Sequence, residues 1–195
     1  VWADRLPSGN YALHVHIADV GHYVRPGTPI DAEAFLRGTS VYFPDRAIPL
    51  LPLELSTELC SLKPKVDRLV LSALLEIDHR GDVVSQEFTR GVIHSVERLT
   101  YTNVHLLLEG DPGLRERHAN LLGRLELMRE LALVLNRKRV GRGSIDFDLP
   151  EPLIEFDEWG EMTGVTRAPR NIAHRIIEEF MLAANEAVAS HLEGQ

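Results

Sequence analysis

Tyr11-Ala12-Leu13-His14-Val15-His16-Ile17-Ala18-Asp19-Val20 is the stretch that decides the fold. Leu13, Val15 and Ile17 alternate with His14, His16 and Ala18, the period of two expected for a strand with one buried face. Gly21 and Pro26-Gly27-Thr28-Pro29 close the strand as a loop. Beyond it, Asp31 is read as the N-cap of a short helix through Leu36, ended by Gly38. Residues 39–43 form a β-branched and aromatic strand stopped by Pro44. Prolines at 44, 49, 52 and 64 then rule out one long regular element over 44–66.

Residues 69–77 and 83–96 are apolar, strand-like runs, with a hairpin at Asp78-His79-Arg80-Gly81-Asp82 between them. Residues 100–108 fit a helix or a strand, and Asp111-Pro112-Gly113 reads as a turn. Leu121, Leu122, Leu125, Met128, Ala132 and Leu135 recur at helical spacing, predicting a helix to about Arg137. Basic Arg137-Lys138-Arg139 suits the negative end of its dipole, and Gly141 caps it. Residues 144–147 and 153–156 look like strands, followed by a turn at Gly160. Ile172, Ile176, Ile177, Phe180, Ala184 and Val188 make one apolar stripe along a long terminal helix. No repeat, low-complexity tract or linker divides the chain. One mixed α/β domain is predicted, with helices packed on a mixed sheet.

The 195 residues suffice for one full core, and 44% hydrophobic with 26% charged residues is an ordinary globular balance. No apolar run approaches the roughly 20 residues that cross a bilayer, so no membrane partner is expected. One cysteine, Cys60, excludes an internal disulfide and suits a reducing cytoplasm. It reads as a small apolar residue rather than a nucleophile. The formal net charge of −8 argues against nucleic acid, which is bound through lysines and arginines on phosphates. Either the basic surface lies on other domains, or a narrow acidic site binds phosphate through metal ions. The start, Val1-Trp2-Ala3-Asp4-Arg5, lacks an initiator Met and suggests a segment of something longer.

Three groups of side chains could carry chemistry. His14 and His16 share one strand face near Asp19, a pairing that could bind zinc but has no third ligand at convincing spacing. Polar strand positions beside a cleft explain them more simply. Tyr42, Tyr101 and Phe147 lie near turns or strand ends. Such aromatics usually fill cores, but on a groove wall they would stack on unpaired bases. Glu178 and Glu179 interrupt the apolar run of the last helix, on opposite flanks at about 100° per residue. They read as an exposed acidic edge, or as a carboxylate that accepts hydrogen bonds from a sugar hydroxyl or helps bind a cation. Walker, Gly-x-Ser-x-Gly, Cys-x-x-Cys and His-Glu-x-x-His motifs are absent.

The ordered strings of the chain carry more. His16-Ile17-Ala18-Asp19-Val20-Gly21-His22-Tyr23-Val24 and Arg37-Gly38-Thr39-Ser40-Val41-Tyr42-Phe43-Pro44 resemble signatures of the ribonuclease II / ribonuclease R (RNB) exoribonuclease family. Ile48-Pro49-Leu50-Leu51-Pro52, Leu55-Ser56-Thr57-Glu58-Leu59-Cys60-Ser61-Leu62, Arg98-Leu99-Thr100-Tyr101 and Ile177-Glu178-Glu179-Phe180-Met181-Leu182-Ala183-Ala184-Asn185 follow in the family's order. The resemblance spans essentially the whole chain and is strongest to the bacterial ribonuclease R branch.

That resemblance implies a monomeric, cytoplasmic parent enzyme. It would degrade single-stranded RNA processively from 3′ to 5′, releasing nucleoside 5′-monophosphates with Mg²⁺. By position, Tyr42 matches the tyrosine that stacks near the RNA 3′ end, and Phe147 the phenylalanine across from it. Tyr101 and Glu178 match the pair that contacts terminal nucleotides and favours ribose, a sensible pairing because a 2′-hydroxyl both donates and accepts. The family's metal-holding acids end in an Asp-x-Asp-Asp-Ala element expected just upstream of Val1. Its Ser-Pro-x-Arg-Arg-Tyr element and its flanking nucleic-acid-binding barrels are not in the sequence either. No catalytic residue and no metal ligand is therefore assigned here. The segment, a partial catalytic domain over 1–195, is expected to be inactive alone. The rival readings are a non-catalytic RNA-binding module derived from the same family and a small metal hydrolase built on His14, His16 and Asp19.

Overall fold

Alternation over residues 11–20 becomes a strand, Tyr11–Ala18, in a computed structural model that describes residues 1–145, 152–167 and 170–194. Along the chain the elements are β1 (Trp2–Arg5), β2 (Tyr11–Ala18), α1 (Val20–Tyr23), α2 (Pro29–Arg37), β3 (Val41–Tyr42) and β4 (Ala47–Ile48). A π-helical turn (Glu54–Leu59) follows in the proline-rich stretch, then β5 (Asp67–Ile77) and β6 (Val83–His94). The second half holds α3 (Tyr101–Glu109), α4 (Pro112–Arg117), α5 (Ala119–Gly141), β7 (Pro152–Phe156), β8 (Met162–Arg167) and α6 (Ile172–Glu193).

The main sheet has the order β1-β2-β5-β6. Leu13 faces Leu75 and Val15 faces Ala73 across β2 and β5, and directly opposed residues share a face. Tyr11, Leu13, Val15, Leu75 and Ile77 are buried, and α3, α5 and α6 contribute the rest of the core around Leu131 and Phe180, which are wholly buried. The fold is mixed α/β, as expected. Every pairing among the described strands is antiparallel, so the sheet itself is not a mixed one.

Several local readings shift. Thr28, not Asp31, caps α2: its hydroxyl accepts from the Asp31 N–H, Pro29 opens the helix, and the Asp31 carboxylate reaches back to the Gly27 N–H at 2.8 Å. Asp111-Pro112-Gly113 starts a helix instead of making a turn. The Asp111 carboxylate accepts from the Leu114 N–H at 2.8 Å, and Pro112 loses nothing at a position whose N–H would lack a partner. Residues 100–108 settle as helix, with Thr100 as cap. α5 runs to Gly141, past Arg137, and β8 pairs with β7 where only the Gly160 turn was foreseen. The strand expected over 144–147 falls partly outside the described residues, and Ser144 and Ile145 belong to no regular element.

The β5–β6 hairpin shows why its residues are there. The Asp78 carboxylate accepts from the backbone N–H groups of Arg80 and Asp82, each at 2.9 Å. Gly81 takes φ +87°, and a Cβ there would meet Lys138 Cδ at 3.3 Å and Val134 Cγ1 at 3.4 Å. Lys138 of α5 closes the contact by donating to the Gly81 carbonyl at 2.9 Å. At the opposite edge of the sheet, Glu130 of α5 accepts from the Tyr11 hydroxyl at 2.6 Å and from Arg5 at 2.7 Å. Those bonds hold its carboxyl below the usual carboxylate range, the tyrosine contributing most.

Candidate functional site

Tyr101 is the first residue of α3, and its ring lies flat on His174 of α6, with centroids 4.1 Å apart and planes 22° apart. His174 is fixed at the start of α6 by a capping box. Its Nδ1 stands 3.3 Å from the Asn171 N–H and 3.0 Å from Asn171 Oδ1. One helical turn further on, Glu178 is gripped by Arg170, whose Nη2 and Nε donate to its two carboxylate oxygens at 2.8 and 3.3 Å. Tyr101, through His174, and Glu178, 77 positions from it in sequence, are thus both anchored at the first two turns of α6.

A cavity of about 660 Å³ opens beside this cluster. Thr100, Tyr101, Ala173 and Ile177 line it on the helical side; Val1, Trp2, His14 and His16 line it on the sheet side. Arg124 adds a guanidinium that lies 3.5 Å from the centre of the Trp2 ring and pairs with Asp4. Asp4 also accepts from the Trp2 indole N–H at 2.7 Å. His16 Nδ1 sits 2.8 Å from the Ser72 hydroxyl, and burial lowers the pKa of its imidazole, with His14 adding to the effect. The walls are mostly flat and apolar with a few polar edges, suited to a ring with a hydroxylated sugar.

The other expected residues stand apart. Tyr42 is 80% exposed on the two-stranded β3–β4 arm, beside the half-exposed Phe43 that Arg46 covers at 5.2 Å. Among the described residues, no hydrogen bond, ion pair or ring contact ties Tyr42 to Tyr101 or Glu178. Phe147 lies outside the described residues. His14 and His16 do share a face, their rings edge to face at 6.1 Å. Asp19 is occupied elsewhere: it is buried, caps α1 by accepting from the His22 N–H at 3.2 Å, and faces Arg90 at 3.6 Å. Among the described residues, no three His, Cys, Asp or Glu side chains are grouped to hold a metal ion. The described part of this chain does not by itself fit a Mg²⁺ centre. Cys60 is half-buried, and burial pushes its thiol up, away from nucleophilic use.

Glu179 corrects the reading of an exposed acidic edge. Its side chain is 2% exposed, and Arg139 donates to it from Nη2 at 2.8 Å and from Nε at 3.1 and 3.3 Å. Asn136 adds a bond of 2.8 Å. The sequence held a signal: Glu179 follows Ile176 by three and precedes Ala183 by four, which places it in the buried stripe. His174 and Arg170 were also missed, because their partners are visible only in three dimensions.

The family model described as "RNB domain" matches residues 1–195, and the chain belongs to the RNB-domain family. Among individual proteins it is 49% identical over 96% of its length to ribonuclease R of Aquifex aeolicus (strain VF5), covering 26% of that protein. The structure of Mycoplasma genitalium RNase R in complex with ribose methylated single-stranded RNA superposes with a TM-score of 0.90 at 31% identity, covering 99% of this chain and 30% of that one. The complex of the same protein with double-stranded RNA gives 0.90 at 31%, over 99% and 34%. The chain therefore spans about a quarter to a third of the proteins it matches.

Proposed function

We propose that this chain is the nucleotide-holding core of a 3′-to-5′ exoribonuclease that hydrolyses single-stranded RNA to nucleoside 5′-monophosphates, and that the segment alone is inactive. One observation carries the reading: Val1 and Tyr101 line the same cavity. The resemblance puts the acidic Asp-x-Asp-Asp-Ala element immediately before Val1, so carboxylates there would open onto the space beside Tyr101. The cofactor in this reading is Mg²⁺, held by those upstream acids and not by side chains of this chain. Ribonuclease R relatives and two RNA complexes of a 31%-identical neighbour support RNA as the partner.

On the cavity wall the Tyr101 phenol can donate or accept, and the Glu178 carboxylate, next in sequence to the lining Ile177, accepts, the complement of a ribose 2′-hydroxyl. Tyr42 reaches out on its arm to stack on a base, with Phe147 as its counterpart. The net charge of −8 fits if the basic path for RNA runs over domains outside this chain. No described helix is long and apolar enough to cross a membrane. A cytoplasmic, monomeric parent is the simplest setting.

The test is nucleotide release with Mg²⁺ and single-stranded RNA, run on the segment and on the full-length protein that contains it. The full-length protein should release nucleoside 5′-monophosphates and the segment none. Release by the segment, or RNA binding without release by the full-length protein, would overturn the proposal; the second outcome would establish a non-catalytic RNA-binding module.

A further inference from the structure

We propose that His174 is a positioning residue for ribose recognition, a platform that fixes the Tyr101 ring relative to Glu178. The inference rests on the reading of Tyr101 and Glu178 given above. Tyr101 begins α3 and is 46% exposed, so the core does not by itself fix its ring. One face of the ring is taken by the His174 imidazole, 4.1 Å away and nearly parallel. The other constraint comes from the helix: His174 and Glu178 are four residues apart, so their side chains stand one above the other on α6.

Both ends of this arrangement are tied down. Asn171 holds the imidazole edge through Nδ1, and its own Oδ1 is held by the Ala173 N–H at 3.0 Å. Arg170 holds both oxygens of Glu178 from the residue preceding Asn171. Residues 170–178 thus set the carboxylate and the ring platform in one short stretch of backbone. A single hydroxyl that donates to Glu178 and meets the Tyr101 phenol needs that separation held constant. A precise pre-set geometry of this kind governs discrimination more than overall affinity.

Histidine suits both tasks, because it offers a flat face for the tyrosine and a polar edge for the cap. Phenylalanine would keep the face and lose the edge; glutamine would keep a polar group and lose the face. The experiment measures kcat/KM of the full-length protein on two matched RNAs, one ending in a 3′ ribonucleotide and one in a 3′-terminal 2′-deoxynucleotide. His174→Gln should lower the ribo-to-deoxy ratio about fivefold, the size of a lost aromatic contact, while His174→Phe stays within about twofold of the parent. A ratio unchanged in His174→Gln would overturn the inference, as would losses that are equal on both RNAs and equal for Phe and Gln, the mark of a cap alone. Tyr101→Ala and Glu178→Gln serve as controls. If they lower the ratio and His174→Gln does not, only the role of His174 falls; if neither control changes it, the ribose reading of the pair falls with it.

Discussion

Glu178 and Glu179 are neighbours in the chain and are bound on different sides of α6: Arg170 takes the first in the open, and Arg139 takes the second inside the fold. Side-chain exposure of 41% against 2% separates a solvent-facing carboxylate from a structural lock between α5 and α6.

The two should behave differently on mutation. Glu179→Ala removes the partner of a largely buried guanidinium and takes three donors' acceptor away, which costs about 3–5 kcal/mol. For a domain of this size that corresponds to a melting temperature lower by about 10 °C. Glu178→Ala breaks a solvent-screened pair and should cost under about 1 kcal/mol. Thermal melting checks both, and equal destabilisation by the two would contradict the assignment.

Tyr42→Ala should separate binding from folding. The ring is 80% exposed on the β3–β4 arm, so stability should change by no more than about 0.5 kcal/mol. Loss of one base stack of about 1–3 kcal/mol should weaken single-stranded RNA binding by the full-length protein about five- to 150-fold, or shift the length of its end products. Unchanged affinity together with an unchanged product ladder would remove Tyr42 from the RNA path.

The strand pattern of residues 11–20, the 78–82 hairpin and the apolar stripe of the last helix were legible because each is set by local periodicity or turn chemistry. Leu13, Val15, Ile176 and Phe180 fall where the sequence put them. The Asp111 helix start was misread because a Pro-Gly pair signals a turn as strongly as a proline at the first helical position signals a helix. For the site, the resemblance named Tyr101 and Glu178, and the fold stacks Tyr101 on His174, four residues before Glu178 in α6. His174, Arg170 and the burial of Glu179 depended on contacts between elements; Arg139 and Glu179 are 40 residues apart. No periodicity encodes such a pairing.

Asp78 links the β5–β6 hairpin to pH. Backbone N–H groups, first that of Asp82 and then that of Arg80, hold its carboxyl below the ordinary aspartate range, with the Arg80 guanidinium assisting. A depressed folded-state value means that the stabilisation is complete above the unfolded pKa of about 3.9 and is lost as pH falls through the lower folded value. Asp78→Asn keeps an acceptor for both N–H groups but cannot titrate. It should therefore flatten the fall in stability below about pH 4, and an acid profile identical to the parent's would show that other carboxylates govern it.

The proposed function has the cavity shared by Val1 and Tyr101 seat the RNA 3′ end. It is tested most directly by photocrosslinking the full-length protein, in chelator, to single-stranded RNA carrying a 3′-terminal 4-thiouridine, and locating the adduct by mass spectrometry. The expected result is an adduct within residues 99–115, the tryptic peptide that contains Tyr101. An adduct confined to peptides remote from the cavity, such as the exposed turn bearing Trp159, would contradict the claim.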